Sequence, residues 1–336
     1  GFERTATLVR AARKEFANTL LVDNGDTIQG TALADYEATI SPIPCTQQLS
    51  MYKAMGALGF DAGTLGNHEF NYGLPFLNQV LGGGLDVDGV DPTKKCAGAG
   101  YPAVLANVYS SKTKKPLVQP YTLLERTVVA KGTDGKEVKL PIKIGVIGFT
   151  TPGIMNWDKR YLEGKVYTEG AVEAANKYVP ELRAKGADIV VALHACDGAT
   201  DQALAQAVRW KSDVILAVPC CQHEMAKSIE SAPLELLLRH GILKERFSAL
   251  ATDALRAAAL DTAGYKTQIL EFIDLGGHID LTRVGGGELP VRGIGGILRH
   301  APMVSRPARP PERLKSRPSS SGVPALAAIV GSTDFL

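Results

Sequence analysis

Two stretches decide the fold: TLLVDNGD at residues 19–26 and AGTLGNHE at residues 62–69. In each, a short run suited to a strand stops at a cluster of Gly and Asn with Asp or His, which reads as a strand followed by a polar loop. Before the first, residues 4–17 space Leu8, Ala11, Ala12 and Phe16 on one helical face. Before the second, MYKAMGALGF repeats the helical spacing. Helix, strand and polar loop, met twice in that order, make an α/β rhythm. Polar residues just past strand ends are also where open α/β sheets place their ligands.

The rhythm continues outward from these stretches. YPAVLANV is strand-like, and two β-rich runs around the turn KGTDGKE predict a hairpin over about 124–147 that ends in IKIGVIGF. A helix is expected at about 170–185, then a buried strand ADIVVAL (187–193) that stops at His194. ALAQAVRW reads as a helix and DVILAV (213–218) as a strand, followed by helices near 222–240 and 244–260 and the strand YKTQILEF. From residue 276 the chain is rich in Gly, Pro and Arg with little periodicity, so the tail 276–336 is expected to be poorly ordered.

Bulk properties set the limits. With 336 residues and 45% hydrophobic content the chain can bury one large α/β domain or two ordinary ones. A net charge of +2 calls for neither a nucleic-acid partner nor an anionic membrane. Cysteine usage leaves the redox compartment open, because five cysteines cannot all pair and none form a CxxC motif. No apolar run approaches the roughly 20 residues that cross a bilayer. The opening GFERTATLVRAARKEF lacks both an initiator Met and the plan of a signal peptide, so the chain is expected to be cut at its front end.

The two polar loops carry the candidate chemistry. A two-metal phosphoesterase needs hard oxygen ligands, among them a carboxylate that bridges cations roughly 3.5–4 Å apart. Asp26 supplies such a carboxylate, Asn67 an amide oxygen, and His68 a titratable group for the scissile ester. The plainer reading makes NGD a turn and NHE a polar loop. Both clusters standing at strand ends favours the chemical one.

DNGDTIQG followed by LGNHEFNYG resembles the calcineurin-like metallophosphoesterases, in particular the 2',3'-cyclic-nucleotide 2'-phosphodiesterase/3'-nucleotidase branch of the 5'-nucleotidase family. The likeness runs over residues 1–193 and includes FERTATLVRAAR, IKIGVIGFTTPGIMNWDK and YVPELRAKGADIVVAL. It implies an α/β fold of sheet layers flanked by helices, two divalent ions (Mn, Zn, Mg or Co) and a nucleotide or cyclic-nucleotide substrate. Asp26 would bridge the metals, Asn67 would bind one, and His68 would protonate or stabilise the leaving group. Glu69 would be structural, and Asn71 stands where some relatives carry an Asp that orients the histidine. His194 matches a later ligand position, although Ala195-Cys196-Asp197 replace the usual neighbours. The family's opening DxH and closing GHxH find no match. The resemblance implies a periplasmic location.

From about 191 to 274, LHACDGATDQALAQAVRW, DVILAVPCCQHE and GILKERFSALATDALRAAAL resemble the C-terminal half of a class I S-adenosylmethionine-dependent, RNA-methyltransferase-like family. That implies a partial doubly wound α/β segment over 194–275, and a cytoplasmic location. The Gly-rich cofactor loop such a fold needs does not precede residue 191 in a strand-to-helix turn. The sequence therefore predicts a join near His194. Hydrolysis of nucleotide phosphoesters is the first reading, with methyl transfer and an inactive chimeric fragment as alternatives. Cys220-Cys221-Gln222-His223 reads as a buried cysteine pair beside a helix start in preference to a metal site.

Overall fold

The computed structural model describes residues 2–131, 134–193, 198–209, 214–216, 224–270, 301–305 and 327–331. His194, the Cys220–His223 cluster and most of the tail lie outside the described residues. The chain divides into two compact units, with the main division after residue 194.

The first unit begins with helix α1 (Phe2–Glu15), whose Ala6, Val9 and Ala12 are buried along one face. Strand β1 (Thr19–Asp23) follows, then a short helix α2 (Ala32–Asp35) and helix α3 (Ser50–Leu58), which Gly59 ends in the left-handed conformation at φ +67°. Strand β2 (Ala62–Thr64) leads through a single 3-10 turn, His68–Phe70, into α4 (Leu74–Leu81). Strands β3 (Ala103–Val104) and β4 (Val108–Ser110) are short. The expected hairpin is formed by β5 (Tyr121–Lys131) and β6 (Glu137–Gly148), antiparallel in a register that pairs Tyr121 with Ile147 and Lys131 with Glu137. Two four-residue helices, α5 (Ile154–Trp157) and α6 (Lys159–Leu162), precede β7 (Val166–Thr168), helix α7 (Ala171–Ala184) and strand β8 (Ile189–Leu193).

Period-two alternation sorts the side chains of β1 between two cores. Leu21 faces α1, α3 and α4 through Val9, Met55, Leu74 and Leu77. Leu20 and Val22 face the second sheet through Leu124, Ile144, Val146 and Leu193. Strand β6 alternates in the same way, with Ile147 turned toward Ala174, Tyr178 and Leu182 of α7. The unit is thus a helix, sheet, sheet, helix stack, and β1 from Leu20 onward and β6 over residues 144–148 are buried on both faces, which explains their near-continuous apolar sequences there. Strand β1 pairs in parallel with β2, and β2 with β3, while β6 pairs in parallel with β8. The sheets approach so closely at Gly148 that a Cβ there would lie 1.9 Å from Thr64 Oγ1.

The second unit holds α8 (Gly198–Arg209), β9 (Val214–Leu216), α9 (Glu224–Ser228), α10 (Glu235–Leu238), α11 (Gly241–Thr262), β10 (Lys266–Leu270) and β11 (Ala301–Ser305). The helix expected over 222–240 is broken into α9, a 3-10 turn and α10. Pro233 lacks an amide proton, and Ser231 is extended at φ −159°. Asp201 of α8 accepts a 2.5 Å hydrogen bond from Arg256 Nε of α11. The tail supplies two strands: β11, antiparallel to β10 and β9, and β12 (Ala327–Gly331), which pairs in parallel with β1 in the first unit.

Sequence left the cysteine pairing open, and the structure joins Cys45 to Cys96 across 51 residues. The bridge ties the segment before α3 to the loop after α4, where Ala97 N also donates to Cys45 O at 2.9 Å. Its stabilisation comes from shortening the unfolded chain. Reduction, or the double change Cys45→Ser/Cys96→Ser, is expected to lower stability by about 2–4 kcal/mol. The readout is a lower urea midpoint with the far-UV spectrum retained.

Candidate active site

Parallel pairing of β1 and β2 puts the segments after Asp23 and Thr64 at the same sheet edge. The two loops touch backbone to backbone: Gly25 has φ +83°, and a Cβ on it would lie 2.5 Å from Gly66 N. Only glycine permits both the conformation and the approach.

One carboxylate fastens the loops together. Glu69 is 1% exposed and accepts backbone N–H bonds from Asp26 (2.8 Å), Thr27 (2.5 Å), Ile28 (3.3 Å) and Gly66 (2.6 Å). A fifth bond crosses the other way, from His68 N to Asp26 Oδ1 at 2.9 Å. Asp26 sits in the left-handed region at φ +60°, a conformation that Asp tolerates better than most residues and that clusters at functional sites. Asp26, Asn67 and His68, singled out from sequence, are thus brought into one corner, with Asp26 buried and Asn67 and His68 half-buried. His194 lies outside the described residues.

A second carboxylate shapes the loop from below. Asp23 accepts from Gly25 N at 3.0 Å, from Thr27 Oγ1 at 2.9 Å and from the Tyr101 hydroxyl at 3.0 Å. Burial pushes its carboxyl up to about 6, against those hydrogen bonds and with help from the Asp26 charge. Burial likewise pushes Glu69 up to about 8, with the Asp26 and Asp23 charges adding, while the backbone N–H groups favour its anion.

The histidine is held by a run of side chains that ends at Asp158. His68 Nδ1 lies 2.6 Å from Asn71 Oδ1, and Asn71 Nδ2 donates to both oxygens of Asp158 at 3.1 Å. Asp158 is buried, at the junction of α5 and α6. Sequence reasoning missed it. Its signal is the carboxylate that follows the indole in Asn156-Trp157-Asp158, a short stretch beyond the end of β6.

Asp26 and Asn67 are the hard-oxygen donors a divalent cation takes. Among the described residues, however, no three His, Cys, Asp or Glu side chains converge as a metal cluster. The described donors therefore do not fit a complete two-metal centre, and the chemistry of the corner is derived below from the protein groups alone.

Comparison with known proteins gives two likenesses. The chain is 47% identical over 193 residues to a 2',3'-cyclic-nucleotide 2'-phosphodiesterase/3'-nucleotidase of Salmonella typhimurium, an alignment covering 57% of this chain and 27% of that one. It is 43% identical over 196 residues to the trifunctional nucleotide phosphoesterase YfkN of Bacillus subtilis, covering 57% and 12%. A crystal structure of the calcineurin-like phosphoesterase YfkN from the same organism matches at TM-score 0.49 and 40% identity, over 59% of this chain and 54% of that one. The chain spans 27% of the length of the first of these curated relatives and 12% of the second. A family model described as "Methyltransferase domain" matches residues 140–228, beginning well before the segment near 191 where sequence places that likeness.

The buried carboxylates make stability depend on pH. Asp23 holds its proton more tightly folded, at about 6, than unfolded, near 3.8. Its contribution is therefore fully present below 3.8 and lost as pH rises through about 6. For the metal-free chain this amounts to about 3 kcal/mol, and urea unfolding at several pH values should show the slope flatten in Asp23→Asn. Glu69→Ala strands four buried donors and is expected to cost at least about 4 kcal/mol, read in the same unfolding assay at neutral pH.

Proposed function

We propose that the chain hydrolyses nucleotide phosphoesters, with 2',3'-cyclic nucleotides among its substrates. The observation that carries this reading is the corner itself: Asp26, Asn67 and His68 gathered from two strand ends, in a chain 47% identical over 193 residues to a 2',3'-cyclic-nucleotide phosphodiesterase. With Asn71 Oδ1 accepting from Nδ1, the Nε2 of His68 is the atom that faces chemistry. Protonated, it gives its proton to the leaving oxygen or stabilises the charge that grows there.

Asp26 and Asn67 are assigned to the cation side, with His194 as a further candidate and two divalent ions (Mn, Zn, Mg or Co) as the cofactor class. When bound, such ions polarise the phosphoryl oxygens. A periplasmic location is supported by the Cys45–Cys96 disulfide, which belongs in an oxidising compartment. Among the described residues no helix is long and apolar enough to cross a membrane.

The match at 140–228 favours a second reading, S-adenosylmethionine-dependent methyl transfer to RNA. Against it, β6 runs into FTTPG and the four-residue helix α5, where a cofactor fold needs a Gly-rich turn into a long helix. On either reading the join near residue 193 is proposed to unite two ancestries, and an inactive chimera is the outcome in which neither assay below responds.

With manganese and bis-p-nitrophenyl phosphate, the chain is expected to turn over, and His68→Ala to fall by about a hundredfold or more. Equal rates for the two forms, or none, would overturn the hydrolase reading. Calorimetry with S-adenosylmethionine is expected to show no binding; heat at one site per chain would favour the second reading instead.

A further inference from the structure

We propose that Asp158 is a positioning residue that fixes the tautomer of His68 by orienting the Asn71 amide. An amide side chain has two faces of opposite polarity, and only its oxygen can accept from an imidazole N–H. Asn71 turns its oxygen to His68 Nδ1 at 2.6 Å and its NH2 group to both Asp158 oxygens at 3.1 Å. Rotating the amide by half a turn would set its oxygen against the Asp158 carboxylate, so the carboxylate excludes that orientation. With the oxygen fixed on Nδ1, that nitrogen carries the proton in both the neutral and the charged ring, and the exchangeable site is Nε2.

Which ring nitrogen keeps its proton is thus set two side chains away, by a buried carboxylate at the junction of α5 and α6. Asp158 need not touch substrate to do this. A carboxylate at position 71 would accept from Nδ1 in any orientation and would require no such partner. An amide there requires one.

The catalytic consequence rests on the hydrolase reading, whereas the tautomer is read without substrate or metal, so the two can fail separately. The full chain, labelled with 15N-histidine, is examined by long-range 1H–15N correlation at alkaline pH, with His68 assigned by its loss in His68→Gln. The Nδ1–H form is expected for the unaltered chain and for Asp158→Asn, which keeps an oxygen for Asn71 to donate to. Asp158→Ala should release the amide and move His68 toward the Nε2–H form. Asn71→Asp combined with Asp158→Ala should restore Nδ1–H, while Asn71→Asp alone sets two carboxylates side by side and should lower the urea midpoint.

If Asp158→Ala does not fold, Asp158→Ser, whose hydroxyl falls short of the amide, is judged by the same shift. A folded Asp158→Ala or Asp158→Ser chain that keeps the Nδ1–H form, or an unaltered chain found in the Nε2–H form, would overturn the proposal. In turnover the expected signature is a kcat lowered more than KM is raised, recovered in the Asn71→Asp/Asp158→Ala pair.

Discussion

The candidate site depends on a buried side chain that need not touch substrate. Four backbone N–H groups from two separate loops end on the Glu69 carboxyl group, two on each of its oxygens. Here they hold Asp26 in a left-handed conformation that an isolated loop would leave. Gly25 and Gly66 make the approach sterically possible, and Glu69 makes it favourable.

Burying Asp23, Asp26 and Glu69 together is costly, and the raised values of Asp23 and Glu69 measure that cost. The arrangement is tolerated because each carboxylate has a geometric task. Asp23 shapes the turn from inside, Glu69 fastens the two loops, and Asp26 is left with an oxygen on the His68 amide. Asp158 extends the set from the junction of α5 and α6 and acts on the imidazole through Asn71. A histidine held by an amide in place of a carboxylate keeps its orientation while carrying one negative charge fewer beside it.

The sequence made the α/β order legible because β1, the second half of β6 and β8 are near-continuous apolar runs, a pattern that depends on few long-range contacts. Asp26, Asn67 and His68 were legible for the same reason, since each stands just past a strand end. The Cys45–Cys96 pairing was not, because no spacing rule distinguishes it from the other combinations of five cysteines. Asp158 was missed because its significance lies in meeting Asn71, 87 positions away in sequence. The broken helix before α11 was readable in principle from Pro233, but helical periodicity on either side masked it.

Pairing between β1 and β12 has a consequence for how the chain reaches this state. Thr19 lies beside Ala327, so the strand that delivers Asp26 gains its second neighbour only when residues made about 300 positions later arrive, a contact of very long range for a chain growing from one end. Until then one edge of β1 offers a row of unpaired amides and carbonyls to any extended segment nearby. The corner's geometry is therefore local, while the pairing of its supporting strand with β12 waits for residues far along the chain.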